Sequence, residues 1–236
     1  MTIAARQGLG VPRGGAKSYV RDGLVAMWDG IENAGWGVHD ANATTWKDLT
    51  DNGYDLPLST TTLEVLSDGI RRNTTGSQST LSKVGWVNTP SRTLEMCVTA
   101  PSSISAGSQV LLATTTVGTG TGVPCLVKKG SGHFEWSHQW NNSKIIFTSN
   151  STITLSSSYN DGNTARGYVN GEVQEANGTD SWGFTANTIS VLGDPRGGNY
   201  APFGYVAHNV RIYSRALTAD EIAQNYAVDK ARFNLP

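Results

Sequence analysis

Short apolar segments separated by turn residues run through most of this chain. Examples are GLVAMWDG at 23–30, RTLEMCVTA at 92–100 and GYVAHNVRIYS at 204–214. Asn-Gly and Asp-Gly pairs, which favour tight hairpin turns, lie among them. These pairs are Asn52-Gly53, Asp161-Gly162 and Asn170-Gly171. Because no helical segments are interleaved with the strands, the pattern predicts an all-β fold, a two-sheet antiparallel β-sandwich of the jelly-roll type.

Alternation inside the segment 92–100 indicates a strand in a packed sheet. Side chains two residues apart on a strand point to the same face. One face of this strand is therefore formed by Leu94, Met96 and Val98, and the other by Thr93, Glu95 and Cys97.

The closing stretch 210–233 contains the one clear helix signal of the chain. Thr218 is a favourable N-cap, and Glu221 three residues later completes a capping box. Leu217 can pack onto Ile222, and Ile222 shares a helix face with Tyr226, one turn further on. A short amphipathic helix needs a surface to pack on, so we expect it to form a lid on the sandwich.

The first 18 residues differ from the rest of the chain. They are rich in glycine and contain Arg6, Arg13 and Lys17, with no acidic residue before Asp22. Such a segment buries too little surface to fold alone. Two interpretations stay open: a disordered leader, and an arm that orders only against a partner. Residues 19–236 are predicted to form the sandwich with its capping helix.

Charge and hydrophobicity argue against two classes of partner. The net charge of −1 and the pI of about 6.4 provide no positive field for a polyanion, so nucleic acid is not an expected partner. No apolar run reaches 18 residues and no secretion signal is visible, so a membrane is not an expected partner either. The two cysteines, Cys97 and Cys125, lie in apolar runs and are either buried thiols or one disulfide.

Three segments together resemble the laminin-G-like branch of the concanavalin A-like lectin/glucanase superfamily. They are WKDLTDNGYDLPL at 46–58, YNDGNTARGYVNGEV at 159–173 and GYVAHNVRIYSRALTADEIAQNY at 204–226. The last is similar to the family's closing Arg-Ile-Tyr-x-Arg-Ala-Leu strand and the helix after it. The resemblance covers residues 20 to 230 and implies an antiparallel sandwich of two curved sheets.

The opening segment DGLVAMWDGIENAGWGVHDANATTWKDL further resembles the form of this domain found in structural proteins of gut-bacterial phages. This resemblance implies a virion surface protein made in the host cytoplasm, with an extracellular protein as the alternative. Its implied partners are host or mucosal glycans, and other virion subunits contacted through the N-terminal arm. The sequence leaves the oligomeric state open, a homo-oligomer included.

The glycoside hydrolases of this superfamily resemble one another in a strand with the motif Glu-x-Asp-x-(x)-Glu. We therefore looked for this motif as a sign of catalysis. Alternation along that strand places the carboxylates on one sheet face. In this chain no glutamate is followed by aspartate two residues later, there is no Gly-x-Ser-x-Gly motif, and no histidine lies beside a plausible nucleophile. These observations predict that the chain is not an enzyme.

Candidate glycan-binding residues fall in three places. Trp136 and Trp140 share one face of the segment 133–140, where they either stack on sugars or form the core. The Gly-rich loops 28–40 and 193–204 are the alternatives, because variable function in sandwiches concentrates in loops. They contribute Trp36, His39, Arg196 and Tyr200.

Calcium is the cofactor that the resemblance suggests, since many relatives hold Ca²⁺ in loops at the rim of the sandwich. The family-like segment offers Asp48, Asn52 and Asp55 as oxygen ligands. Asp and Asn in short turns also satisfy their own backbone without a metal, so both interpretations stay open.

The favoured hypothesis is therefore a non-catalytic glycan-binding or adhesion domain on a phage particle, as a fibre or capsid decoration. A purely structural virion domain without a ligand is the second hypothesis. A divergent polysaccharide hydrolase is the third.

Overall fold

The computed structural model describes residues 18–59, 61–73, 81–84, 91–103, 109–115, 124–129, 133–138, 143–146, 151–160, 164–176, 188–193 and 203–235. Within these ranges the chain forms sixteen strands and one helix. In chain order the elements are β1 (Leu24–Asp29), β2 (Thr45–Trp46), β3 (Leu56–Pro57), β4 (Leu63–Leu66), β5 (Gly69–Arg72), β6 (Leu81–Val84), β7 (Arg92–Thr99), β8 (Gln109–Thr115), β9 (Pro124–Lys129), β10 (His133–His138), β11 (Ser143–Ile146), β12 (Thr152–Asn160), β13 (Thr164–Val169), β14 (Glu172–Ala176), β15 (Thr188–Val191), β16 (Val206–Tyr213) and α1 (Ala219–Phe233).

Two antiparallel sheets dominate the fold, which confirms the predicted sandwich. The eight-stranded sheet has the order β14-β13-β12-β7-β16-β5-β4, and β1 also pairs with β16. The six-stranded sheet has the order β11-β10-β9-β8-β15-β6. Strands β2 and β3 form a small separate pair. Among the described helices, none is long and apolar enough to span a membrane.

The core lies where apolar faces of the strands pack together. On β7, Leu94, Met96 and Val98 are fully buried in the main apolar cluster, as their alternation predicts. Leu112 of β8 and Ile189 of β15 bring the second sheet into the same cluster. Cys97, on the opposite face of β7, is a buried free thiol.

The predicted capping box of helix α1 is confirmed. The Thr218 side chain accepts a hydrogen bond from the Glu221 backbone N–H, and the Thr218 N–H donates to the Glu221 carboxylate. Arg215 forms two further bonds to this carboxylate and, by those hydrogen bonds, lowers the pKa of Glu221 to about 2. Leu217 and Ile222 are buried in one apolar cluster, as the staple requires. The helix therefore begins at a position that these five side chains determine.

We expect Thr218→Ala to lower the free energy of unfolding by about 0.5–2 kcal/mol, because the N-cap acceptor is lost. Urea denaturation of the two proteins measures the difference. Thr218→Ser, which keeps the hydroxyl, is the matched control and should stay near the wild type. An alanine variant as stable as the serine variant would contradict the role of this cap.

A buried charged cluster joins α1 to the outer face of the eight-stranded sheet. Its centre is Arg211 of β16, which has no exposed surface. Arg211 donates to Glu95 of β7 at 2.9 Å and makes two bonds to Asp229 of α1, at 2.7 and 2.8 Å. Asn225 of the helix also donates to Glu95, at 2.6 Å. The helix is thus a lid, as predicted, but charged hydrogen bonds hold it as well as apolar packing.

The first described residues lie against this helix. Tyr19 donates its hydroxyl to Asp229 at 2.8 Å, and the Val20 N–H donates to the Asn225 side chain at 2.8 Å. The Ser18 carbonyl accepts from Gln224. The start of the predicted sandwich domain is therefore held by the C-terminal helix. Residues 1–17 of the predicted arm lie outside the described residues, so the arm stays a prediction.

Candidate functional site

Two loops pack side by side next to strand β1, and we call residues 30–55 the rim loops. Three hydrogen bonds tie the second loop to the first and to β1. The Trp46 indole N–H donates to the Asp29 carbonyl, and the Lys47 N–H donates to the Asn33 carbonyl. The Leu49 N–H donates to the Met27 carbonyl. The predicted residues Trp36, His39, Asp48, Asn52 and Asp55 therefore belong to one continuous surface region.

The first rim loop is held from inside by a buried amide. Asn33 is fully buried; its Nδ2 donates to the Asp40 carbonyl, and its Oδ1 accepts from the Asp40 N–H, both at 2.8 Å. Trp36 is half-buried and packs against the cluster of Tyr19, Met27 and Leu49. Trp36 therefore helps to anchor the loop, and stacking of a sugar on its exposed part stays a prediction.

His39 is exposed at the tip of this loop. Its Nδ1 lies 3.2 Å from the Gly30 carbonyl oxygen. Because a carbonyl can only accept, Nδ1 carries the hydrogen and Nε2 of the neutral ring is an acceptor. Within the described part of the chain no side chain or backbone group bonds this Nε2. His39 thus presents a fixed, solvent-facing acceptor.

Asp48 organises the second rim loop. Its Oδ1 accepts from the N–H groups of Met27 and Thr50, and its Oδ2 accepts from the Thr50 hydroxyl and the Tyr54 N–H. A carboxylate has about four lone-pair positions, so these donors fill all of them. Asp48 therefore closes the loop onto β1.

Asp55 and Asn52 are also used within the loop. Asp55 accepts from the Asp48 N–H and from the Lys47 ammonium, at 3.0 and 2.6 Å. The Asn52 amide donates to the Val25 carbonyl at 2.8 Å. Among the described residues no group of three His, Cys, Asp or Glu side chains has the arrangement of a metal site. The donor set of the predicted calcium loop does not fit Ca²⁺, because Asp48 has no lone pair to spare.

We expect the thermal unfolding midpoint to be the same in EDTA and in excess calcium. A ligand bound only by the folded state raises the midpoint, so calorimetry in the two buffers reports calcium binding directly. Magnesium in place of calcium controls for general ionic effects. A midpoint several degrees higher in calcium alone would restore the calcium prediction for Asp48, Asn52 and Asp55.

The other predicted ligand residues are Trp136, Trp140, Arg196 and Tyr200. Trp136 lies in β10, where its backbone pairs with Leu126 of β9 and Ser143 of β11. Trp140, Arg196 and Tyr200 lie outside the described residues. Stacking of sugars by these residues stays a prediction.

One histidine does lie beside a hydroxyl, contrary to the sequence analysis. Nε2 of His208 is 2.7 Å from Oγ1 of Thr99. The pairing of β16 with β7 shifts register between Ala207 and Asn209, so His208 is the extra residue of a β-bulge. The two residues are 109 positions apart, so no local motif could reveal the contact.

A sandwich of one eight-stranded and one six-stranded antiparallel sheet, closed by a C-terminal helix, defines a lectin-like β domain. The family model described as the concanavalin A-like lectin/glucanases superfamily, laminin G type, matches residues 72–223. The chain belongs to this superfamily. No curated protein sequence matches the chain.

Solved structures share the fold at low identity. The sialidase of Trypanosoma rangeli in complex with sialic acid is 19% identical, with a TM-score of 0.72. The match covers 94% of this chain but only 36% of the sialidase chain. Domain 4 of AbnA, a GH43 extracellular arabinanase from Geobacillus stearothermophilus, was solved with arabinotriose. It is 18% identical with a TM-score of 0.61, and the match covers 86% of this chain and 98% of that domain.

These similarities correct the prediction that the chain is not an enzyme. The similar structures include sialidases and a domain of an arabinanase, so glycoside hydrolases contain this fold. The prediction depended on the absence of one motif, Glu-x-Asp-x-(x)-Glu, which identifies a single arrangement of catalytic carboxylates. It also depended on finding no histidine beside a plausible nucleophile in the sequence, whereas the fold brings His208 beside the Thr99 hydroxyl.

Proposed function

We propose that this chain is a carbohydrate-binding domain. The observation that carries the proposal is the likeness to domain 4 of the arabinanase, whose structure contains arabinotriose and which the match covers almost completely. The sialidase structures, one of them with sialic acid, show the same fold in other proteins that bind sugars. Both likenesses are below 25% identity, so the site and the type of sugar are argued from the residues of this chain.

The rim loops are the proposed binding surface. They combine a rigid backbone with exposed hydrogen-bond donors and acceptors. Both are needed, because a sugar hydroxyl donates one hydrogen bond and accepts others. His39 offers an acceptor, and the Lys47–Asp55 pair offers a donor and an acceptor, with 48% and 34% of the two side chains exposed. Asn33 and Asp48 hold these groups in place from below. A preformed polar surface loses little entropy when a ligand binds.

The charge of this surface favours neutral sugars over sialic acid. Asp40 and Asp51 are exposed, and Asp55 is partly exposed, whereas Lys47 is the single lysine or arginine in the rim loops. Lys47 is paired with Asp55, so the surface carries net negative charge. The carboxylate of a sialic acid would be repelled there, while a neutral arabinan-like or hexose chain would not.

We further propose that the chain acts at the surface of a phage particle, where it contacts host or mucosal glycans. The support is the resemblance of residues 22–49 to the opening segment of phage structural proteins. On this proposal residues 1–18 contact other virion subunits. Cryo-electron microscopy of purified particles, with antibody labelling of this chain, tests the location.

A glycan array tests the carbohydrate proposal. We expect binding to neutral glycans, weaker binding to their sialylated forms, and about a three- to tenfold loss in His39→Ala, because one hydrogen bond contributes about 1 kcal/mol. Gln174→Ala, an exposed substitution on β14, is the matched control. An array without any bound glycan would contradict the proposal and favour a structural domain. Release of reducing sugar from a bound glycan would show that the chain also hydrolyses it.

A further inference from the structure

A hydroxyl, an imidazole and a carboxylate meet on the outer face of the eight-stranded sheet, just beyond the end of helix α1. Thr99 Oγ1 lies 2.7 Å from His208 Nε2. The other ring nitrogen, Nδ1, lies 2.9 Å from the Asp68 carbonyl oxygen and 3.5 Å from the Asp68 carboxylate. This order of groups is the one used by nucleophilic hydrolases, in which a base activates a hydroxyl and a third group orients the base.

The hydrogen bonds determine where the protons lie. A carbonyl oxygen can only accept, so Nδ1 of His208 carries a hydrogen and donates it to Asp68. In the neutral ring Nε2 is then an acceptor, and Thr99 must donate its hydroxyl hydrogen to it. Thr152, 2.5 Å from Thr99, in turn donates to the Thr99 oxygen. The Thr99 proton therefore already points at the base that would remove it.

The backbone holds this arrangement rigidly. The bulge in β16 turns both His208 and Asn209 to the helix side of the sheet. The His208 carbonyl accepts from the Gly30 N–H at 2.7 Å, and the His208 ring packs against Phe233, with centroids 5.3 Å apart. The His208 side chain is 8% exposed, so the imidazole has little freedom to turn.

The hydroxyl end of the arrangement faces an open surface. Pairing of the strands places Arg71, Val206, Thr99 and Thr152 in one row across β5, β16, β7 and β12. All four are partly exposed, in contrast to the fully buried Glu95 and Arg211 beneath the helix. The Asp68 side chain is 50% exposed. A substrate can therefore approach Thr99 from solvent while His208 stays behind it.

We propose that Thr99 and His208 form an acyl-transfer site that hydrolyses esters. Thr99 Oγ1 bonds to the ester carbonyl carbon as its proton moves to His208 Nε2. The bond from that carbon to the alcohol oxygen then breaks, and the alcohol oxygen takes the proton from Nε2. Water repeats the sequence on the acyl-threonine, releasing the carboxylic acid and restoring Thr99. If the carbohydrate-binding proposal holds, the natural ester is an acylated sugar hydroxyl.

The test uses p-nitrophenyl acetate and a fluorophosphonate probe on the full chain. We expect release of p-nitrophenol, and a covalent probe adduct that mass spectrometry places on Thr99. Thr99→Val, which keeps the shape and removes the hydroxyl, should abolish the adduct and lower hydrolysis at least about 100-fold. Thr99→Ser should retain both. Thr61→Val is the matched control, since it removes an exposed hydroxyl whose hydrogen-bond partner is Ser59.

His208 is tested through the same reaction. His208→Gln should lower the rate of adduct formation at Thr99 at least about 100-fold, with circular dichroism and thermal melting reporting whether the variant folds. If that variant fails to fold, the comparison of Thr99→Val with Thr99→Ser still tests the proposal. Equal hydrolysis by wild type and Thr99→Val, or no adduct at Thr99 in the wild type, would overturn the proposal. Glycan-array binding by Thr99→Val should be unchanged, so loss of esterase activity and failure of glycan binding are separate results.

Discussion

Replacing Arg211 with methionine should lower the free energy of unfolding by about 3–5 kcal/mol, or prevent folding. Arg211 is fully buried and bonds to Glu95 on one side and Asp229 on the other. Methionine fills most of the volume but leaves these two carboxylates facing each other without a cation. Removing one partner from a buried charged cluster is strongly destabilising, because the remaining charge is desolvated and uncompensated. Burial already raises the pKa of Glu95, and Arg211 opposes that shift.

Arg71→Met is the matched control for this prediction. Arg71 lies in the same sheet and pairs with Glu64, but 43% of each side chain is exposed. An exposed pair contributes at most about 1 kcal/mol, so this variant should unfold close to the wild type. Arg211→Lys should fall between the two, since lysine restores a charge but cannot bond both carboxylates in the same geometry. An Arg211→Met protein as stable as Arg71→Met would show that the cluster does not hold the helix to the sheet.

Gly30→Ala should destabilise the fold by about 3 kcal/mol. Gly30 follows β1 and lies directly against the turn between β4 and β5. A Cβ at this position would lie 2.4 Å from both Cα and N of Gly69 and 2.5 Å from the Asp68 carbonyl carbon. These are backbone atoms, so no side chain can turn away to make room, and the strands must separate. Chemical denaturation measures the loss.

Gly53→Asn is the control, because it replaces a glycine at a position where an added side chain meets no neighbouring atoms. Gly53 has a φ of +73° with open space around its Cα, and asparagine tolerates that backbone conformation better than most residues. We expect a change below about 1 kcal/mol. The Gly30 variant also displaces Asp68, so its esterase rate should fall even in the fraction that stays folded. A Gly30→Ala protein with wild-type stability would contradict the close contact of these two turns.

The strands and the helix could be predicted because their signals are local. The alternation at Leu94, Met96 and Val98 indicates the apolar face of β7, and the capping box at Thr218 places the start of α1. The positive φ values of Asn170 and Gly171 likewise agree with the predicted hairpin turn. Each of these features depends on residues within one turn or one strand of each other.

The contacts beneath the helix could not be predicted, because their partners are distant in sequence. Glu95 and Arg211 are 116 positions apart, and their burial depends on the helix that covers them. One signal was present: Asn209, Arg211 and Tyr213 share one face of an otherwise apolar strand, and Asn225 and Asp229 share one face of α1. Two polar stripes of this kind, on elements expected to pack together, indicate a buried network.

The separation of 109 positions in sequence explains why the contact of His208 with Thr99 was missed. The bulge explains the orientation of Asn209, which strict alternation from Ala207 would place inward, toward the core. The extra residue turns Asn209 to the helix side, where its side chain bonds Tyr19 and Arg211.

The central claim is that the rim loops bind a neutral glycan. It is tested most directly by nuclear magnetic resonance of the ¹⁵N-labelled chain during titration with the neutral glycan that binds best on the array. We predict saturable shifts of backbone amides concentrated in residues 30–55, with His39 and Lys47 among them, and no comparable shifts with the sialylated form of the same glycan. The His39→Ala protein should need a several-fold higher glycan concentration for the same shifts. Absence of saturable shifts, or shifts confined to residues outside the rim loops, would contradict the account.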